Sequence, residues 1–186
     1  AFKPLSQGCR VLLREEVLSG TEELLQDNAA DIAISALNIT GYLPIELGSI
    51  TFIAVAHHQH PLHQLEHQLS ANDLSAYMQV VIRDSGERQP RDIGWLGAEQ
   101  RWTVASLATS AEFIRAGLGF AWLPEHVVAD DLAIGLLKKL PLQTGSIRHQ
   151  PFYLYSQKDR PLGKAAKTLM DCIQANALPR LACSPS

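Results

Sequence analysis

Cysteine is scarce in this sequence: Cys9, Cys172 and Cys183 are the only three in 186 residues. An odd number at wide spacing excludes a disulfide framework. It fits a reduced, cytoplasmic setting with buried or incidental thiols. Positive charge is also in short supply. Sixteen Lys and Arg stand against nineteen Asp and Glu, for a formal net charge of −3 and a pI of about 6.2. Gripping DNA needs a basic face to neutralise phosphates, so this chain is not expected to bind DNA by itself. No apolar run approaches the roughly 18 residues that suggest a membrane span. No signal-peptide pattern opens the chain, so neither a membrane nor a secreted location is expected.

What is present is the composition of an ordinary globular protein. Hydrophobic residues make up 46% and charged residues 19%, enough for a core without disulfide or metal staples. The length allows one domain or two small ones. Internal repeats and low-complexity segments are absent.

The most informative stretch is Arg101 to Pro124, RWTVASLATSAEFIRAGLGFAWLP. Arg101 to Val104 is β-prone. Ser106 or Thr109 can cap the helix that follows, and Thr109 to Glu112 has capping-box spacing. Leu107, Ala111 and Ile114 recur at helical spacing. Gly117-Leu118-Gly119 supplies a left-handed exit. Phe120 to Leu123 reads as a buried strand, and Pro124 suits the first position of a further helix. The whole is a strand, helix, strand unit.

A second such unit lies nearer the start. Arg10 to Glu15 reads as a strand. Ser19-Gly20-Thr21-Glu22 has capping-box spacing ahead of a helix with Leu24 and Leu25 inward. Asn28 tolerates the left-handed conformation that ends a helix. Asp31 to Ser35 reads as a short strand. Alternation of this kind predicts an α/β fold with a largely parallel sheet. Further strands are expected at Ile50 to Val55, Gln79 to Arg83, Leu136 to Leu140 and Phe152 to Tyr155. Further helices are expected from Ser70, after Pro124, and over 163–177, the last with Ala166, Leu169, Met170 and Ile173 on one face. Phe2 and Leu5 suit the end of an earlier helix.

Together these segments resemble the effector-binding domain of LysR-type bacterial transcription regulators. The resemblance rests on Leu13-Arg14-Glu15, Thr21-Glu22-Glu23-Leu24, Ala30-Asp31-Ile32-Ala33-Ile34, the His60-Pro61-Leu62 turn, and Ala116-Gly117-Leu118-Gly119-Phe120-Ala121-Trp122-Leu123-Pro124. It covers roughly residues 5 to 175. Asn28-Ala29 stands where the family usually has Gly before the Asp, a mild departure. The resemblance implies two Rossmann-like lobes joined by crossover strands, the type 2 periplasmic-binding-protein-like fold. Lobe I would comprise residues 1–56 and 150–178, lobe II residues 57–149, and 179–186 a mobile tail. The family's winged helix-turn-helix and the first strand of its effector domain are not expected within this chain. A homodimer is implied.

Three kinds of chemistry compete for the polar residues. Five of the seven histidines, His57, His58, His60, His63 and His67, cluster in one stretch, and His63 and His67 are four apart. Pro61 interrupts any helix there and other ligand types are sparse, so a solvated turn is preferred to a metal site. Ser85, in Asp84-Ser85-Gly86, has neither the Gly-x-Ser-x-Gly setting nor a base placed by sequence, so a turn is preferred to a nucleophile. Ligand binding without chemistry fits best. Crevices at the carboxyl ends of strands hold small molecules, and helix N-termini aimed there favour anions. The expected effector contacts are Ser19, Thr21, Ser35, Ala36, Arg83, Asp84, Ser85, Ser106, Leu107 and Phe120. Arg83 would suit a carboxylate. No cofactor or metal is expected, and DNA would be reached only through a separate domain. The rival class is a two-lobed solute-binding protein of a transport system.

Overall fold

The computed structural model describes residues 8–92 and 94–181, with side chains described as far as residue 177. Phe2, Leu5 and residues 182–186 of the expected tail lie outside that range. The elements in chain order are α1 (Ser19–Gln26), β1 (Ile32–Ser35), β2 (Ile45–His57), α2 (Ala71–Ser75), β3 (Gln79–Ile82), β4 (Arg101–Val104), α3 (Leu107–Arg115), β5 (Phe120–Pro124), α4 (Glu125–Ala133), β6 (Leu137–Lys139), β7 (Ile147–Ser156) and α5 (Lys164–Leu181). Residues 179–181, expected in the tail, continue α5.

Two compact units emerge. The first gathers Ala1–Ser49, Ser85–Arg91 and Pro151–Ser186; the second gathers Ile50–Asp84 and Asp92–Gln150. The long strands β2 and β7 each pass from one unit into the other.

In the first unit, β1 pairs antiparallel with β7, from Ile32 opposite Ser156 to Ser35 opposite Tyr153. Leu25, Ile39, Tyr42 and Tyr155 form its core. The Tyr155 hydroxyl donates to the Leu37 carbonyl (2.8 Å) and accepts from the Ile39 amide (3.3 Å), so the buried phenol is satisfied on both counts.

In the second unit, β5 lies between β2 and β3, β4 follows β3, and β6 pairs with the other side of β2. Alternation along β2 and β5 splits the core into two faces. Ile53, Val55, Ala121 and Leu123 pack with Ala111 and Ile114 of α3 and Val128 of α4. Ala54, Ala56 and Phe120 pack with Leu62, Leu69, Leu74 and Leu140. Because both faces are covered, the strands read as unbroken apolar runs.

Several expectations are corrected. The sheet is mixed: β3 runs parallel to β4 and β5, while β2 is antiparallel to β5 and β6. Arg10–Glu15 forms no strand, and Val11, Leu12 and Leu13 are exposed. Local β-propensity needs a pairing partner to become a strand, and none lies beside these residues among those described. Helix α1 begins at Ser19 itself, after Leu18, with no side-chain cap. In α3 the cap is Ser106 rather than Thr109: its Oγ accepts from the Thr109 amide at 3.2 Å. Pro124 ends β5 and precedes α4 by one residue. Asn28 does adopt the left-handed conformation, with φ 56°.

Candidate functional site

The expected contact residues separate into two groups. In the first unit, Ser19 and Thr21 open α1 and are buried, at 3% and 8% exposure. The Ser85-Gly86 turn packs directly on this helix start. A methyl group at Gly20 would overlap the Ser85 side chain, and one at Gly86 would overlap Ser19. Two glycines thus allow the turn and the helix to touch.

Ser85 is spent on this packing. Its hydroxyl donates to the Val17 carbonyl (3.0 Å) and accepts from the Val17 amide (2.8 Å). The neighbouring residues are tied to α1 as well. Glu23 accepts from the amides of Glu87 (3.1 Å) and Arg88 (2.8 Å). Arg88 pairs with Asp27, and Arg91 with Glu22 at 2.8 Å. Segment 85–91 is therefore a strap on the helix. Ser35 is buried at the end of β1, where its Oγ accepts from the Leu37 amide (3.1 Å), and Ala36 beside it is half-buried.

In the second unit, parallel pairing sets Ile82 opposite Val104, so β3 and β4 end together. Arg83 follows the first strand end and Ser106 follows the second. The Arg83 amide donates to the Val104 carbonyl (2.8 Å), which locks this edge. Its side chain is exposed and makes no hydrogen bond or ion pair among the described residues. Asp84 beside it is buried, at 7% exposure. Ser106 caps α3, and Leu107 follows as a half-buried residue on the core. An arginine and the positive end of a nine-residue helix thus share the carboxyl edge of two parallel strands. Such an edge attracts anions.

Phe120 lies elsewhere. It is opposite Gln79, at the other end of β3 from Arg83, and is fully buried between Trp95 and Trp122, with centroids at 6.1 and 6.0 Å. Its ring is a core element. The spacing of the AGLGFAWLP stretch identifies the strand correctly but does not say which end of it faces a ligand.

Among the described residues, no group of three or more His, Cys, Asp or Glu could hold a metal ion. The histidine stretch instead packs around a turn. His60 is buried, its Nδ1 accepts from the Leu62 amide (3.2 Å), and its pKa is pushed down to about 4 by burial, then by His63 and His57. His63 is also lowered, chiefly by burial. His67 lies 3.3 Å from Asp73.

One further feature of the second unit escaped the sequence. A cavity of about 170 Å³ opens between the start of α2, Trp95, Trp122 and the loop before β7, with Arg148 on its wall. Arg148 and Trp122 are 26 positions apart, and no local pattern joins them.

With this geometry in view, comparison with known proteins decides the family. Residues 1–178 match the family model described as the LysR substrate binding domain. The chain belongs to that family. A LysR substrate-binding domain is an α/β fold of two Rossmann-like lobes of the periplasmic-binding-protein type, as expected. The chain is 30% identical over 128 residues to the probable HTH-type transcriptional regulator YhaJ of Escherichia coli K12, covering 66% of this chain and 43% of YhaJ. It is 31% identical over 110 residues to the HTH-type transcriptional activator AllS of Klebsiella pneumoniae, covering 55% of this chain and 41% of AllS. The chain thus spans less than half the length of these curated relatives. Among solved structures, the regulatory domain of Synechocystis CcmR in complex with 2-PG superposes with a TM-score of 0.70 at 15% identity, over 95% of this chain and 87% of that one. Full-length LysG of Corynebacterium glutamicum with bound effector Arg superposes with a TM-score of 0.68 at 22% identity, over 92% and 59%. The relatives are named transcription regulators, so the LysR domain is a regulatory module and the transport reading falls away. No helix among the described residues is long and apolar enough to cross a membrane.

Proposed function

We propose that this LysR domain senses a small anionic metabolite, favouring a carboxylate, and passes the binding event to a DNA-binding domain outside this chain. The observation that carries the reading is the shared edge of β3 and β4. There the exposed Arg83 guanidinium, which makes no hydrogen bond or ion pair among the described residues, stands beside the Ser106-capped start of α3 and offers positive charge. Leu107 supplies an apolar neighbour. In the first unit, Ser19, Thr21, Ser35, Ala36 and Ser85 shape backbone that a ligand would meet, with the Ser35 and Ser85 hydroxyls engaged by the Leu37 and Val17 backbone. In this reading the chain crosses from lobe I (residues 1–56 and 150–178) to lobe II (57–149) along β2 and returns along β7, save that segment 85–91 groups with the first unit and residues 50–56 with the second.

Binding stabilises one arrangement of the protein over another, and that bias is the signal. The sensing state is a homodimer in the cytoplasm, and the ligand is bound without turnover. The Ser85 hydroxyl supports this last point, because its proton is directed to the Val17 carbonyl and not to a base.

The reading is tested by a thermal-shift screen of small organic acids against the chain and its Arg83→Gln variant. A saturating ligand at a hundredfold excess over Kd raises the melting temperature by roughly 5 °C or more. The expected hit is weakened at least tenfold in the variant. A ligand that is chemically consumed, or a set of hits none of which is weakened by Arg83→Gln, would overturn the proposal.

A further inference from the structure

The cavity in the second unit has the build of a binding site in its own right. Its walls are Leu69, Leu74, Trp95, Trp122 and Leu142, with Arg148 as the charged member. All of these residues belong to one compact unit.

Arg148 is held in an unusual state. Its guanidinium carbon sits 4.5 Å from the centroid of the Trp122 ring. No carboxylate pairs with it and no hydrogen bond satisfies it among the described residues. Burial disfavours its charge and lowers its pKa. A half-buried cation without an anion is a cost to the fold. Stacking on Trp122 offsets part of that cost, since a tryptophan face is the best of the aromatic partners for a cation. It leaves the N–H groups in the guanidinium plane unused.

The surroundings keep the guanidinium approachable. Gly94 and Gly145 flank it, both left-handed, with φ 102° and 74°. A methyl group at Gly94 would stand 3.1 Å from one terminal nitrogen, and one at Gly145 3.8 Å from the other. Trp122 is held in place because its Nε1 donates to the Gly145 carbonyl (2.8 Å). On the opposite side, the Gln143 amide donates to the Leu69 carbonyl (2.9 Å) and the Leu69 amide to the Pro141 carbonyl (2.9 Å). The apolar wall is therefore a braced surface.

Size and chemistry then select the ligand. A cavity of about 170 Å³ is close to the roughly 150 Å³ that accommodates a single benzene ring. An arginine with a free donor plane takes a carboxylate bidentately. We infer that this cavity binds a small organic acid with a ring-sized apolar body: the carboxylate pairs with Arg148 and the body lies against Trp95, Trp122 and the leucines. This site is distinct from the β3–β4 edge and does not depend on the reading of that edge.

The two wall tryptophans make binding directly readable. Trp102 packs on Phe113 of α3 instead (5.6 Å), so a Trp102→Phe background leaves Trp95 and Trp122 as the fluorescent reporters. The probes are benzoate, cyclohexanecarboxylate and isovalerate, with benzamide as the neutral match for benzoate. The expected result is saturable quenching by at least one acid, at least tenfold weaker binding of benzamide, and at least tenfold weaker acid binding in Arg148→Gln. Ala71→Phe places a ring at the mouth from the exposed start of α2 and should block binding equally. Arg148→Gln removes a half-buried charge that no carboxylate pairs among the described residues, so its melting temperature should stay within a few degrees of the parent. Lack of saturable quenching by all three acids would overturn the inference. So would acid binding that survives both Arg148→Gln and Ala71→Phe, because that ligand would then belong to another site.

Discussion

The Ser85 hydroxyl closes two hydrogen bonds on Val17, accepting from its amide at 2.8 Å and donating to its carbonyl at 3.0 Å. One side chain thereby fixes the backbone immediately ahead of α1 from 68 positions away. This is a structural use of the serine, in keeping with the turn that the sequence favours over a nucleophile.

Ser85→Ala should therefore destabilise the fold by about 1–3 kcal/mol, because it leaves the Val17 amide without its acceptor, while the Val17 carbonyl still accepts from the Gly20 and Ser85 amides. Chemical denaturation measures this. An unchanged midpoint would show that water replaces the hydroxyl freely.

The left-handed Asn28 gives a second test. Its φ of 56° ends α1, and a β-carbon there costs roughly 1 kcal/mol. Asn28→Gly should be neutral or stabilising by a few tenths of a kcal/mol, and Asn28→Val should be destabilising by about 1 kcal/mol or more. Equal stability of the two variants would contradict the assignment.

The buried His60 gives a third, through pH. Its pKa is lowered from 6.5 to about 4 in the folded state. Above pH 6.5 both folded and unfolded chains carry it neutral, so it imposes no penalty. Below that the unfolded chain takes the proton and the folded chain does not, so stability falls as pH drops from about 6.5 toward 4. His63 shifts in the same direction. The loss should be on the order of 2 kcal/mol by pH 4.5. His60→Asn keeps an acceptor for the Leu62 amide and should flatten that slope. A slope unchanged by the substitution would place the effect elsewhere.

Much of the architecture was legible because its signals are local. Ser106 before a helical repeat, Asn28 after one, and the apolar run of β5 each report on a few neighbouring residues, and the structure bears them out. Long-range facts were not legible. Arg10–Glu15 has strand propensity, but a strand exists only against a partner. Phe120 lies on the right strand, but only the register with Gln79 shows that it faces the core at the far end from Arg83. The Thr109-to-Glu112 spacing mimics a cap that Ser106 supplies three residues earlier. Parallel direction was inferred from alternation, whereas the long β2 brings β5 and β6 in antiparallel. The stacking of Arg148 on Trp122 depends on tertiary packing alone. On the candidate site, the positions of Arg83 and Ser106 just after two strand ends were legible because turns after strands are readable. The bonding of Ser85 to Val17 was not, because it joins residues 68 positions apart.

The central claim is that this LysR domain binds a small acid at the β3–β4 edge and does not act on it. Isothermal titration of the strongest thermal-shift acid into the parent chain and into Ser106→Trp tests it most directly. The account predicts a saturable site in the parent that is lost in Ser106→Trp while that variant remains folded and keeps any binding that Arg148→Gln abolishes, and no product after prolonged incubation. Equal affinity in the two proteins, or conversion of the acid, would contradict it.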